Sequence, residues 1–202
     1  MGFVYVLRNG HEDLFKIGRT RGELQARIRQ LATGNPHQLT LFDHIETEYE
    51  VDCETFLHRS LRSKRAGEGE AREFFALSPS EVRDAIREAR GYLAESVPKR
   101  RETERLARET SDGVLLKPGD QEWEWYWRLV NVREDEDSLR LDRVLLENQL
   151  KLVIGRADGL DRLATWKSET VKRIDEAAFK LAEPQLFEKF LRTSVRRAFR
   201  LQ

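Results

Sequence analysis

The order of periodic segments predicts an α+β chain, a small three-stranded antiparallel sheet with flanking helices followed by a mainly helical C-terminal part. Three observations lead there. Between Phe3 and Ile45, short runs alternate with period two. The stretches from Gly22 and from Val51 repeat instead with helical spacing. Beyond Trp123 the apolar pattern is helical. Phe3, Tyr5 and Leu7 share one face of the first strand and Val4 and Val6 the other, so both faces are apolar and the strand is expected to be central. Asn9-Gly10 with His11-Glu12-Asp13 supplies turn chemistry, and Leu14 to Gly18 can pair back as a second strand, bringing Tyr5 near Lys16. A helix from Gly22 carries Leu24, Ile28 and Leu31 toward the sheet with Arg27 beside that stripe, and Thr33-Gly34-Asn35-Pro36 ends it. Leu39, Leu41 and Ile45 then alternate as the third strand.

A second helix is expected over Val51–Lys64, with Cys53, Phe56, Leu57 and Leu61 inward and Glu54 and His58 on a common face. A basic, glycine-containing loop (Arg62, Lys64, Arg65, Gly67, Gly69, Arg72) leads to Glu73-Phe74-Phe75-Ala76-Leu77. Ser78-Pro79-Ser80-Glu81 then reads as a capping box opening another helix.

The ordered series Phe3-Val4-Tyr5-Val6-Leu7, Phe15-Lys16-Ile17-Gly18-Arg19-Thr20, Ala26-Arg27-Ile28, a helix with His58, and Glu73 before two bulky residues resembles the phage-type branch of the GIY-YIG nuclease superfamily over residues 1–92. The resemblance implies phosphodiester cleavage. Tyr5 matches the tyrosine that takes a proton from water. A free phenol, with a pKa of about 10, is a poor base at neutral pH, and Lys16, where many relatives have a second tyrosine, is a cation that could favour its phenolate. Arg27 matches the arginine whose planar fork suits a phosphate. Glu73 matches the carboxylate that holds Mg²⁺ or Mn²⁺, and His58 is the family-type proton shuttle or phosphate contact. Two positions depart from the pattern: Phe3 replaces the first motif's glycine, and Lys16 the second motif's tyrosine.

Each residue also has a plainer role. Tyr5 is then core, Lys16 an edge charge, Arg27 and His58 helix-surface groups, and Glu73 an ion-pair partner of Arg62 or Arg72. The rival function is accordingly a noncatalytic DNA-binding or recombination accessory protein with a degenerate nuclease fold, and RNA is a third substrate class left open.

Charge is high but balanced, with 36 basic and 36 acidic residues, so a nucleic-acid surface has to be local. Arg19, Arg62, Lys64, Arg65, Arg196 and Arg197 are the phosphate-contact candidates; Lys99-Arg100-Arg101, Arg192 and Arg200 lie in further basic runs. One cysteine excludes an intramolecular disulfide, and no apolar run approaches about 20 residues, so the expectation is a soluble protein in the cytoplasm of a bacterial or phage-infected cell, without a membrane partner.

Residues 93–119 read as a charged helix and linker, and 120–202 as a helical accessory domain. In the latter, Trp123, Trp125, Tyr126 and Trp127 are expected to anchor a small core. Leu141, Val144, Leu145, Asn148 and Leu152 form a seam of a long helix over 137–154 that buries itself within the chain or in a homodimer. Gln149 to Leu160, Ala164-Thr165-Trp166-Lys167, Glu183-Pro184 and Arg196 to Leu201 resemble the C-terminal stretch of YqaJ-like phage recombination exonucleases, without that family's catalytic residues. This implies a targeting or substrate-positioning module, with DNA and a recombination or replication protein as partners. Trp166 is expected to be buried beside an exposed Lys167.

Overall fold

A computed structural model describes residues 1–10, 12–33, 37–66, 73–194 and 196–201. His11 of the first turn, Gly34-Asn35-Pro36 at the helix stop, and Gly67, Gly69 and Arg72 of the basic loop lie outside the described residues. The chain divides into two units, Met1–Leu106 and Ala107–Gln202.

The first unit is α+β. Strands β1 (Gly2–Asn9), β2 (Leu14–Thr20) and β3 (Leu39–Thr47) are joined by a fourth, β4 (Phe74–Ala76), in the antiparallel order β3-β1-β2-β4. As its two apolar faces demand, β1 is central. Gly10 adopts the left-handed φ of +61° and donates its amide to Gln38 O at 2.9 Å, which ties the β1 turn to the entry of β3.

Helix α1 (Leu24–Ala32) starts at Glu23, whose carboxylate accepts the amides of Gln25 and Ala26. Its Leu24, Ile28 and Leu31 pack on the face of Phe3, Tyr5 and Leu7. The opposite face, Val4, Val6, Phe15, Ile17 and Phe75, is covered by Cys53, Leu57 and Leu61 at α2 (Glu50–Ser60) and by Val82, Ala85, Ile86 and Ala89 of α3 (Pro79–Leu106). Burial pushes the Cys53 thiol up to about 11, so at neutral pH it is a protonated apolar filler.

The third strand does not keep one alternation throughout. Leu41 opposes Leu7 while Asp43 opposes Val6, so Phe42 is an extra residue in a bulge. Leu39 therefore packs with Tyr5, whereas Ile45 and Phe42 join the other core. The bulge also puts His44 opposite Tyr5.

After α2, the expected continuation to Lys64 tightens into a 3₁₀ turn, Arg62–Lys64. Ser78 and Glu81 exchange the two capping-box bonds: the Ser78 amide donates to Oε2 at 2.7 Å and the Glu81 amide to Oγ at 3.3 Å. Helix α3 continues through Pro98, and its far end docks on the start of α2 and the two residues before it, through Arg100 to Asp52 and Arg101 to Glu48, with Arg100 4.6 Å over the Tyr49 ring. Lys99-Arg100-Arg101 is thereby occupied by carboxylates, Lys99 with Glu95.

In the second unit, α4 (Asp120–Ile154) is longer than the spacing over 137–154 predicts. The short strands β5 (Gly159–Leu160) and β6 (Ala164–Thr165) form a hairpin, and α5 (Glu176–Ala182) meets α6 (Pro184–Phe190) through Phe179 and Phe187. Two expectations fail here. Trp123, Trp125 and Trp127 are about half exposed, Trp123 and Trp127 meeting the Tyr126 ring edge-on, and Trp166 is 49% exposed, so none anchors a core. The α4 seam at Leu141, Val144, Leu145 and Leu152 faces solvent, so of its two expected burials the one within the chain does not occur. No described helix is long and apolar enough to cross a membrane.

Candidate active site

Cross-strand partners share a face, so the pairing of Tyr5 with Gly18 fixes what lies under the phenol ring. A Cβ at Gly18 would stand 2.6 Å from Tyr5 Oη and 2.9 Å from Cζ. The ring thus lies across β2 where only glycine leaves room. Lys16, two residues earlier on the same face, opposes Leu7 and Phe74. Its ammonium sits 5.1 Å from the Phe74 ring centroid and pairs with the carboxylate of Glu73, immediately before β4. Arg27 reaches in from α1, where its neighbours Leu24 and Ile28 hold the helix to this face. Four elements thus deliver Tyr5, Lys16, Arg27 and Glu73 to one place.

The electrostatics around Tyr5 oppose its ionisation. Burial, at 1% exposure, is the largest influence and raises its pKa above the ordinary 10.0. The Arg27 guanidinium, hydrogen-bonded to the hydroxyl, pulls the other way, while the Glu73 and Glu54 carboxylates reinforce burial. The cation at the phenol is Arg27; Lys16 instead engages Glu73. This differs from the pairing of Lys16 with Tyr5 that the strand spacing suggests.

Helix α2 brings His58 to the opposite side of the sheet, where Nε2 is 3.1 Å from the Ile17 carbonyl oxygen and the ring meets the edge of Phe75. Among the phosphate-contact candidates, Arg19 donates to Glu54 at 2.7 Å and Lys64 to Glu81 at 2.9 Å. Arg65 lies 5.7 Å over the Phe75 ring, and Arg62 is exposed on the 3₁₀ turn. Arg196 and Arg197 belong to the second unit, where the Arg197 amide donates to Ala107 O at 3.1 Å.

Two groups, His44 and Glu50, escape a reading by spacing, and Glu54 is legible only as a face-mate of His58 on α2. His44 gains its place opposite Tyr5 through the Phe42 bulge. Glu54 contributes through the field it exerts on Tyr5. Glu50, 2% exposed, pairs with Arg21, whose hydrogen bond is the main reason its carboxyl is held below the usual range. An acidic residue opening α2 beside a glycine strand end was the available signal: a Cβ at Gly2 would come 3.0 Å from Glu50 Cγ.

Among the described residues no three His, Cys, Asp or Glu side chains cluster as a metal cage. The Glu73 side chain is 46% exposed, and its second oxygen leaves lone pairs beyond the Lys16 contact. A single accessible carboxylate fits Mg²⁺, which keeps several waters and takes few protein ligands.

Residues 2–90 match the T5orf172 domain. That domain is associated with phage nuclease-related proteins of the GIY-YIG and HNH kinds. Every member of the four-residue cluster lies inside the T5orf172 match. No YqaJ-like family model matches the C-terminal part. No curated protein and no solved structure matches the chain.

Proposed function

We propose that the T5orf172 domain is a metal-dependent, GIY-YIG-type DNA endonuclease that hydrolyses phosphodiester bonds, working in the cytoplasm of a bacterial or phage-infected cell. The observation carrying this reading is the convergence of Tyr5, Lys16, Arg27 and Glu73 from four elements on one sheet face. In it, Arg27 binds a non-bridging phosphate oxygen and orients Tyr5, whose ionised, phenolate form accepts the proton of the attacking water and becomes the neutral phenol. Lys16 holds the Glu73 carboxylate in place and adds positive charge beside the phosphate. Bound at Glu73, Mg²⁺ or Mn²⁺ supplies Lewis-acid stabilisation of the developing charge. The C-terminal unit serves to position substrate or recruit a recombination or replication protein, a role supported by its exposed Arg196 and Arg197.

A second reading, a noncatalytic DNA-binding or recombination accessory protein, is favoured by one feature: Lys16 with Glu73, and Arg27 with the neutral, buried Tyr5, also satisfy one another as purely structural pairs. The two readings part in one assay. The full chain is incubated with supercoiled plasmid, a branched junction, single-stranded DNA and RNA, each with Mg²⁺, Mn²⁺ or EDTA. The nuclease reading expects cleavage of a DNA substrate that EDTA stops and Glu73→Gln abolishes while DNA affinity is largely kept. Binding without cutting under all conditions selects the accessory protein; cleavage unaltered by Glu73→Gln removes the assigned site.

A further inference from the structure

Trp166 is half exposed on the second unit, and two clefts meet at it. Asn148, Lys151, Leu152 and Gly155 follow one another at i, i+3, i+4 and i+7, so they share one face at the end of α4. Gly155 then takes the left-handed φ of +58° that ends the helix, and the β5–β6 hairpin returns the chain, with the Trp166 amide donating to Asp158 O at 2.8 Å. Trp166 thereby comes back beside that face. With Asn148, Lys151, Leu152 and Gly155 it lines an open cleft of about 600 Å³. A second cleft, of about 550 Å³, is lined by Trp166 and Gly155 together with Arg156, Asp158 and Lys167. Both are of the size that takes a small ligand.

Charge decides which ligand suits them. Lys151, Arg156 and Lys167 line the two clefts against one carboxylate, Asp158. All three cations are open to a ligand: Lys151 lies 3.5 Å from Glu147 and Lys167 4.0 Å from Asp158 in exposed, weak contacts, and Arg156 has no carboxylate partner among the described residues. The partial negative charge at the end of α4 is reduced where the Ile154 carbonyl accepts the Ala157 amide. The first cleft adds an indole, the Leu152 side chain and the Asn148 amide, which can both donate and accept at the edge of a planar ring. An aromatic face beside several cations suits an unpaired base and its phosphates. A duplex offers no such partner, because stacked neighbours already cover the faces of each base.

We propose that the two clefts at Trp166 bind single-stranded nucleic acid. A base stacks on the indole beside Leu152 and Asn148, and the flanking phosphates meet Lys151 in one cleft and Arg156 and Lys167 in the other. Since every base has a stacking face and the cations touch only the backbone, the site is tolerant of sequence. The choice of a nucleic acid over an acidic peptide rests on the reading of this chain as one that acts on DNA; cleavage itself is no part of the proposal.

The test measures binding by the full chain, in EDTA so that nothing is cut. The probes are fluorescein-labelled oligothymidylate and oligouridylate of about 20 nucleotides, a DNA duplex and a polyglutamate peptide of matching length, read by anisotropy. Trp166→Ala should weaken single-strand binding about tenfold or more and leave the duplex within about twofold, while Trp166→Phe stays within about threefold of the parent. The larger of the two single-strand effects names the sugar, deoxyribose or ribose. Lys151→Gln and Lys167→Gln should each flatten the slope of log affinity against log salt by about 0.7 for the single strand. Single-strand affinity indifferent to Trp166→Ala and to both lysine variants, an equal loss on the duplex, or polyglutamate held as tightly through Trp166 would each overturn the proposal. A separate cleavage assay with Mg²⁺ keeps the two readings apart: binding that depends on Trp166 without cleavage fails the nuclease reading alone, and cleavage with binding indifferent to Trp166 fails this one alone.

Discussion

The two units use similar apolar periodicities to opposite ends. In the first, α1 and α2 each turn an apolar stripe onto one face of the sheet, so Tyr5, Leu7, Phe15, Ile17, Leu57 and Phe75 are almost wholly removed from water. In the second, among the described residues, only Ile154 is a buried hydrophobic, although α4 carries apolar side chains on two opposite faces. A helical stripe thus specifies burial only when another element supplies the facing surface. In the first unit that surface is the sheet; along most of α4 no described residue supplies it.

The contrast is broken most severely at its packed side. Phe75→Ala removes a fully buried ring shared by β4, His58 and the α3 core, and should cost about 3–5 kcal/mol in urea unfolding followed by the first unit's signals. Trp123→Ala, a change of similar size at an exposed position, should stay within about 0.5 kcal/mol. Equal losses at the two sites would dissolve the distinction between the units.

A smaller effect is expected where charge is buried. Arg21→Ala leaves the Glu50 carboxylate without its main partner and should cost about 1–3 kcal/mol. Because Arg21 depresses the Glu50 pKa, the pair's contribution is present above the ordinary value of 4.5 and is lost as pH falls through the lower folded value. The Arg21→Ala penalty should therefore shrink in acid; a penalty constant from neutral pH to pH 2 would contradict the pairing.

Least affected should be Glu81→Gln, at a solvated cap. Lys64, then the Ser78 amide and hydroxyl, hold the Glu81 carboxyl down to about 2. Its contribution is complete above 4.5 and fades toward pH 2, so the slight difference in Tm between parent and variant should close over that interval. A gap that widens in acid would reverse the sign of this linkage.

What the residues disclose in advance follows the range of the interactions. The central place of β1, the stripe of α1 and the Ser78–Glu81 cap are local patterns, and all three are legible from spacing alone. The order Tyr5, Lys16, Arg27, Glu73 is legible too. Their actual partners are not, because the Lys16–Glu73 contact joins residues 57 apart in sequence and depends on the short strand β4, which is defined by its pairing with β2. The Phe42 bulge is equally hidden, since Leu39, Leu41 and Ile45 suit an unbroken strand. In α4 one apolar seam is conspicuous over 137–154, while the helix itself begins at Asp120.

The central claim is that Tyr5 works as the proton acceptor despite an environment that favours its neutral form. The direct measurement is the single-turnover cleavage rate against pH, with saturating Mg²⁺, for the parent and Tyr5→Phe. Since burial raises the phenol's pKa above 10.0, the ionised fraction of Tyr5 grows about tenfold per pH unit across the neutral and mildly alkaline range. The parent rate should climb with a logarithmic slope near one. Tyr5→Phe should be about two or more orders of magnitude slower and lose that slope while melting at nearly the same temperature. A Tyr5→Phe enzyme as fast as the parent, with the same pH profile, would contradict the assignment of Tyr5 and move the proton acceptor elsewhere in the cluster.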